Sequence, residues 1–222
     1  MTLQYSFKRF CLRTFPRPAL HLWAYRNLIV NGSSYLHQTG WLKSLRSGIP
    51  MDREGHELPW MNYPVVRFLE ERLSDDLRVF EYGSGYSTVF YARRVRTVVS
   101  VEHDEAWLRN IRSRIPMNAR IVHCPKDIDG AYCRTVLSTG EKFDAIVIDG
   151  RDRVHCMQQS ISALTPRGIV ILDDSQRPAY RQALDFARHQ GFRHLHFEGL
   201  KPTGSEIDRT TILYKDGNCL DI

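Results

Sequence analysis

One stretch of the sequence, residues 79–88, constrains the fold of this chain more than any other. It begins with apolar residues typical of a buried strand and continues as Glu-Tyr-Gly-Ser-Gly-Tyr-Ser-Thr. Gly83 and Gly85 supply a turn that can bend sharply and let a ligand approach bare backbone. Ser87 and Thr88 are residue types that cap helices, and apolar residues follow them. The stretch therefore predicts a strand, a glycine turn and a helix whose first N–H groups face a polar ligand.

The same residues indicate which ligand suits the turn. A dinucleotide fingerprint requires a third glycine at position 88, where this chain has Thr88. Glu81 ends the predicted strand, and a carboxylate there suits a cationic ligand better than a phosphate. The turn therefore favours a positively charged ligand over a nicotinamide dinucleotide.

Apolar strands alternate with amphipathic helices from residue 77 onward. The strands are predicted near residues 77–81, 97–102, 119–123, 143–149, 168–172, 192–197 and 210–214. Strands separated by helices favour a parallel sheet covered on both faces. The last two strands lack a helix between them and are predicted to be antiparallel.

Residues 1–59 are predicted to form a basic helical extension, and residues 60–222 the α/β domain. The net charge of the chain is +6, and residues 1–51 hold seven Lys and Arg and no Asp or Glu. A basic extension suits nucleic acid, an acidic membrane surface or an anionic substrate, and it also resembles an organelle transit peptide. Within it, residues 1–18 are expected to be poorly ordered, with helices near 20–29 and 35–45.

The composition argues against several classes of protein. The five cysteines are odd in number and form no C-x-x-C pair, so neither a disulfide framework nor a zinc site is expected. No apolar run reaches the roughly 18 residues of a membrane span, so no transmembrane segment is predicted. A reducing, cytoplasmic location is expected, and the sequence leaves a homodimer open.

Acidic residues stand where the predicted strands end. Glu102 ends the second strand, Asp149 the fourth, and Asp173 and Asp174 follow the fifth. Because ligands of open α/β sheets bind at the carboxyl ends of the strands, these acids are expected to surround one site. Asp127 follows the third strand, in a segment that also reads as an ordinary polar loop.

Four segments occur in an order and spacing that resembles class I S-adenosylmethionine-dependent methyltransferases, in particular bacterial small-molecule O-methyltransferases of the macrocin type. They are Glu81-x-Gly83-x-Gly85, Val101-Glu102, Phe143-Asp144-x4-Asp149-Gly150 and Gly168-x4-Asp173-Asp174. The resemblance spans about residues 60–215. It implies a Rossmann-like, seven-stranded, mostly parallel sheet of order 3-2-1-4-5-7-6, with helices on both faces and strand 7 antiparallel.

The resemblance also implies roles for individual residues. Gly83 and Gly85 would lie under the methionine part of S-adenosylmethionine, and Glu102 would bind its ribose. Asp149 would lie near the transferred methyl group and is the first candidate for a base, whereas His155 is a second candidate that also reads as a surface histidine. The candidate cofactor-binding residues are Glu81, Tyr82, Gly83, Ser84, Gly85, Ser87, Glu102, His103, Asp127 and Asp149.

Metal-dependent members of this group bind magnesium through acids at the ends of strands 4 and 5. Asp149, Asp173 and Asp174 match those positions, and carboxylates are ligands that suit Mg2+. Those members usually continue with an acid and a histidine, whereas Arg151 and Arg153 stand here. Since the two arginines could neutralise the acids instead, Mg2+ is left open as a second cofactor.

The predicted function is methylation of a hydroxyl group on a small molecule or glycan. A nucleic-acid methyltransferase that uses the basic extension is the alternative, but no Asn/Asp-Pro-Pro-Tyr motif follows strand 4, so nucleic acid is an unlikely partner. A non-catalytic relative that only binds the cofactor is the third interpretation.

Overall fold

The apolar strand segments pair into one seven-stranded sheet in the computed structural model, which describes residues 18–222. The strands are β1 (Arg78–Tyr82), β2 (Thr97–Glu102), β3 (Ala119–His123), β4 (Phe143–Ile148), β5 (Leu164–Leu172), β6 (Arg193–Gly199) and β7 (Asp208–Tyr214). Their order is β3-β2-β1-β4-β5-β7-β6, and β7 runs antiparallel to both β5 and β6. The predicted fold class, strand order and antiparallel final pair are therefore confirmed.

Helices flank the sheet and precede it. Before the sheet come α1 (Pro18–Tyr25), a π-helical turn (Arg26–Val30), α2 (Tyr35–Gln38), α3 (Trp41–Ser47) and α4 (Tyr63–Arg72). Between the strands lie α5 (Tyr86–Ala92), α6 (Glu105–Ile111), α7 (Ala131–Ser138), α8 (Arg153–Ala163) and α9 (Arg181–His189), with short 3-10 turns at Arg112–Arg114 and Pro178–Tyr180. No helix within residues 18–222 is long and apolar enough to cross a membrane.

Two apolar layers form because successive strand residues point to opposite faces of a sheet. On one face, Val79 belongs to a buried cluster that includes residues of α4 and α5. On the other face, Phe80 and Tyr82 belong to a cluster that includes residues of α7, α8 and α9. All three strand residues are fully buried, so the expectation that helices cover both faces is confirmed.

The region before residue 60 differs from the prediction in one place. The helix expected near 35–45 is two helices, α2 and α3, separated at Gly40, whose φ is +79°. A Cβ atom at Gly40 would lie 2.3 Å from the carbonyl oxygen of Met51, so the chain passes too close there for any other residue. The prediction for residues 1–18 falls, except for Pro18, outside the described residues.

The loop between β6 and β7 is held by two tryptophans from the region before the sheet. Trp41 donates its Nε1–H to the carbonyl oxygen of Gly204 at 2.8 Å, and Trp60 donates to that of Pro202 at 2.9 Å. Because β6 is parallel to β5, this loop lies at the carboxyl end of the parallel strands. The early helices therefore contact the edge of the sheet where ligands of such folds bind.

Candidate functional site

The turns after β1 and β4 pack directly against each other, since the two strands are neighbours. Gly83 has a φ of +88°, and a Cβ atom there would lie 3.1 Å from the Cα atom of Gly150. A Cβ atom at Gly150 would lie 2.1 Å from Oη of the buried Tyr132. Gly85 is less confined, because its Cβ atom would first meet the ring of Trp107 at 3.4 Å. Close packing therefore requires glycine at positions 83 and 150. At Gly85, by contrast, the position of a Cβ atom is not occupied by other protein atoms.

Glu81 lies beneath the glycine turn and is fully buried. Its carboxylate accepts hydrogen bonds from the hydroxyls of Ser87, Thr88 (2.6 Å) and Ser100 (2.7 Å). Burial raises the pKa of Glu81 to about 7, although the three hydroxyls act in the opposite direction. The Glu81 carboxylate therefore connects the turn to α5 through Ser87 and Thr88, and to β2 through Ser100.

Those hydroxyls correct the predicted start of α5. The helix begins at Tyr86 with Gly85 at the N-cap, so Ser87 and Thr88 lie inside its first turn. Both hydroxyls donate to Glu81, and Thr88 Oγ1 also accepts from the N–H of the N-cap residue Gly85 at 3.0 Å, so Thr88 caps the helix from inside its first turn. The sequence shows that Ser87 and Thr88 carry hydroxyls, but the direction of those hydroxyls depends on the residue at which the helix begins.

Glu102 ends β2 and turns its carboxylate toward the glycine turn. Its Oε2 accepts from the backbone N–H of Ser84 at 2.9 Å and from the Ser84 hydroxyl at 3.2 Å. Its Oε1 accepts from the backbone N–H groups of His103 at 2.8 Å and Asp104 at 2.9 Å. The side chain is 5% exposed, so Glu102 is a well-fixed acceptor at the edge of the turn.

The acids at the ends of β4 and β5 surround a buried arginine, Arg153. Its Nη2 donates to Asp149 Oδ1 at 2.9 Å and lies 3.5 Å from Asp174 Oδ2. Its Nη1 donates to the backbone carbonyl of Asp173 at 2.6 Å, and its Nε to that of Gly150 at 3.1 Å. The guanidinium thus joins the two strand ends. Of the two arginines expected to neutralise the acids, only Arg153 contacts them, whereas Arg151 lies against His103.

Two further cations, Lys201 and Arg177, and a fourth acid, Asp208, belong to this cluster, and the sequence predicted none of them there. Lys201 Nζ lies 3.1 Å from Asp174 Oδ1 and 3.3 Å from Asp208 Oδ1. Carboxylate oxygens of Asp173, Asp174 and Asp208 lie within 4.8 Å of one another. Asp149, which the sequence grouped with Asp173 and Asp174, is not in this set and contacts Arg153 instead.

The charges of the cluster separate the pKa values of its acids. Burial raises the pKa of Asp149, and it raises that of Asp173 well above the usual range, with the charge of Asp149 adding to the effect. Burial would also raise the pKa of Asp174, but hydrogen bonding to Asp208 and the charges of Lys201 and Arg153 hold it below its ordinary value. Burial and hydrogen bonding to Asp174 raise the pKa of Asp208. A proton is therefore retained on this cluster more readily than on exposed aspartates.

Two buried residues connect Asp173 to the helix before the sheet. Thr210 donates its hydroxyl to Asp173 Oδ1 at 2.6 Å, and Asn62 Nδ2 donates to Thr210 Oγ1 at 3.0 Å. Asn62 also caps α4 by accepting from the N–H of Val65 at 3.1 Å. The sequence did not single out Asn62, whose contact with Thr210 joins residues 148 positions apart.

The other predicted site residues occupy varied positions. The Tyr82 side chain is buried under the sheet, where its hydroxyl donates to the carbonyl of Cys133 at 2.6 Å, so only its backbone borders the turn. Asp127 accepts from the N–H groups at the start of α7. His103 Nε2 lies 3.3 Å from Nε of Arg151. His155 pairs with Asp152 at 2.7 Å, away from the Arg153 contacts.

Comparisons with solved structures give the same architecture. Precorrin-6y C5,15-methyltransferase of Geobacter metallireducens superposes with a TM-score of 0.55 at 15% identity, over 77% of this chain and 97% of that one. The O-methyltransferase of Streptomyces achromogenes involved in tomaymycin synthesis, solved with S-adenosylmethionine, gives 0.53 at 16% identity, over 79% and 90%. Precorrin-8w decarboxylase of Methanobacterium thermoautotrophicum gives 0.50 at 17% identity, over 68% and 88%.

These likenesses establish the class I methyltransferase fold that the sequence motifs predicted. Identities of 15% to 17% establish a shared fold and not a shared reaction. No protein-family model matches the sequence. No curated protein matches it significantly either.

Proposed function

We propose that this chain is an S-adenosylmethionine-dependent methyltransferase. The observation that carries the proposal is the glycine turn after β1, bordered by the fixed carboxylate of Glu102 at the end of the adjacent β2. The shared fold of two methyltransferases supports it. The missing third glycine argues against a nicotinamide dinucleotide as the ligand.

The residues of the turn fit the proposed cofactor. Gly85 has an extended backbone, and the space that its side chain would fill is open as far as Trp107. The Ser84 hydroxyl donates to Glu102 Oε2, and we propose that a ribose hydroxyl takes its place when the cofactor binds. Oε1 already accepts two backbone N–H groups and Oε2 accepts one, so displacing the Ser84 hydroxyl frees one acceptor position on Oε2 for a ribose hydroxyl.

We assign the role of general base to Asp149. S-adenosylmethionine, when bound, supplies a methyl group that is already activated by the positive sulfonium, so the protein has mainly to orient the acceptor and remove its proton. The Asp149 side chain is 23% exposed, against 2% for Asp173 and 6% for Asp174, so it is the acid that an acceptor can reach. Its raised pKa makes it a stronger base than an exposed aspartate. His155, tied to Asp152, is the weaker candidate.

The acid cluster does not fit a magnesium ion as its residues are arranged. Carboxylate oxygens suit the ion, but Lys201, Arg177 and Arg153 already contact Asp174 at 3.1, 2.6 and 3.5 Å. A divalent cation there would be repelled by three positive side chains. We therefore assign the neutralising role to these side chains and derive no step through a metal.

We propose a hydroxyl of a small molecule or glycan as the acceptor. An alcohol needs a base at the reacting oxygen, and Asp149 provides one near the carboxyl ends of β1 and β4. Arg177 is about half exposed and adjoins the cluster, so it is placed to orient an anionic group of the acceptor.

Calorimetric titration tests the cofactor first. S-adenosylhomocysteine should bind with a dissociation constant on the order of 1 μM, or about −8 kcal/mol, whereas NAD should not bind. If NAD bound and S-adenosylhomocysteine did not, the fold assignment would stand but the proposed methyltransferase function would be refuted. Transfer of labelled methyl groups to panels of hydroxyl compounds and of RNA then separates the proposed acceptor class from the nucleic-acid alternative.

A further inference from the structure

The helical segment formed by α1 and the π-helical turn, residues 18–30, has an apolar surface that faces away from the protein. Its sequence contains only three strongly polar residues, His21, Arg26 and Asn27. The side chains of Leu22 and Val30 are 70% and 61% exposed, and no residue of Arg26–Val30 is buried. A helix that is apolar around most of its circumference is normally covered by protein or lipid.

The charge of the surrounding sequence favours one kind of cover. Residues 1–51 contain seven basic residues and no acid. Apolar side chains combined with Lys and Arg are the composition of segments that lie in the interface of an anionic bilayer. A second copy of this chain would bring two such positive segments together, which like-charge repulsion opposes.

RNA is less well suited to this surface than lipid. Phosphates would be bound by the basic residues, and bases by stacking on aromatic rings. Neither contact uses the exposed aliphatic side chains of Leu20, Leu22, Leu28 and Val30. The aliphatic character is therefore the property that separates a membrane from a nucleic acid.

The segment is connected to the ligand-binding edge of the sheet by short contacts. His37 Nε2 lies 2.7 Å from the carbonyl oxygen of Ile29, which joins the π-helical turn to α2. In α2, the Tyr35 ring packs edge-to-face on Tyr63 with 6.2 Å between ring centroids. The N–H of Tyr63 donates to the carbonyl of Leu200, beside Lys201 of the acid cluster.

We propose that residues 18–30 bind the surface of anionic lipid bilayers, with their apolar side chains inserted between the headgroups. The segment lies in the interface rather than across the membrane, because no described helix is long and apolar enough to span it. The contacts through α2 connect this segment to Leu200, in the loop that carries Lys201 of the acid cluster. The proposal does not depend on the proposed reaction, since binding is measured without turnover.

Co-sedimentation of the full chain with vesicles tests it. The protein should bind vesicles of equal parts phosphatidylcholine and phosphatidylglycerol, and bind pure phosphatidylcholine at least about tenfold more weakly. The double variant Leu22→Glu, Val30→Glu should lose at least about tenfold in affinity for the anionic vesicles. Arg26→Glu, which keeps the apolar side chains, should lose about fivefold or more.

The matched control adds the same two charges elsewhere. Met117→Glu with Ile128→Glu also replaces exposed apolar side chains and should bind like the wild type. Equal loss in both double variants, or no binding of wild type to anionic vesicles, would overturn the proposal. So would a homodimer, seen by light scattering, that the Leu22→Glu, Val30→Glu variant disrupts while vesicle binding stays unchanged. RNA binding that this variant abolishes, without an effect on vesicles, would overturn it as well.

Discussion

Arg153 and Asp149 are joined by a hydrogen bond of 2.9 Å between Nη2 and Oδ1, four residues apart across the turn from β4 into α8. The same guanidinium is 9% exposed and also bonds the backbone at the end of β5. It therefore holds a buried positive charge among acids that would otherwise repel one another.

Asp149→Asn should lower turnover about 100-fold or more, because the amide cannot accept the proton of the acceptor hydroxyl. Affinity for S-adenosylhomocysteine should change little, which calorimetry would check. In the wild type, burial raises the pKa of Asp149, so the base is lost as pH falls through a value above that of a free aspartate. A pH profile whose acid limb is unchanged in Asp149→Asn would remove this residue from the mechanism.

EDTA should not affect turnover, because Lys201 and the arginines neutralise the acid cluster. Lys201→Met removes the ammonium between Asp174 and Asp208, so it should lower the melting temperature. It should not create a binding site for Mn2+ or Mg2+, because Arg177 and Arg153 still contact Asp174, and calorimetry with each ion checks this. Loss of wild-type turnover in EDTA, restored by Mg2+, would contradict the assignment.

Gly85→Val should abolish binding of S-adenosylhomocysteine with little loss of stability, since the first Cβ contact is 3.4 Å away and φ is near 180°. Gly32→Val is the matched control, because nothing lies within 4 Å of its Cβ position. Gly150→Ala should instead destabilise the protein, as its Cβ would lie 2.8 Å from the Gly83 nitrogen. Thermal melts and titration separate the two effects; unchanged affinity in Gly85→Val would refute the cofactor position.

Glu81 should make stability depend on pH. Its pKa is about 7 when folded and 4.5 in the absence of the fold, so the unfolded chain loses the proton first. The contribution of Glu81 to the free energy of unfolding is fully present below pH 4.5 and is lost as pH rises through about 7. We therefore compare the free energy of unfolding of Glu81→Gln with that of the wild type at each pH. The difference should shift in favour of the variant by on the order of 3 kcal/mol between pH 5 and pH 8. Urea unfolding at both pH values measures this, and a constant difference would contradict it.

The sequence predicted the sheet and the position of the site because both follow from local patterns. Apolar periodicity locates strands, and the glycine turn and the acids stand at strand ends that parallel pairing brings to one edge. Lys201 and Asp208 were missed because they join the cluster only through the return of β7 beside β5. The contacts of Asn62 likewise depend on tertiary packing between distant parts of the chain. The proposed roles of Glu102, Asp127 and His155 remain predictions.

Trp41 and Trp60 each donate to a carbonyl oxygen of the loop between β6 and β7, and Trp60 Nε1 also lies 3.3 Å from Oγ1 of Thr203 in that loop. A backbone carbonyl is the same whichever residue carries it, so these two bonds survive most substitutions in the loop. The path of the loop is thus specified by residues more than 140 positions away, while its side chains other than those of Lys201 and Thr203 are left free to change. Such a division lets most side chains of this loop be altered, by evolution or by design, without the protein having to find a new fold.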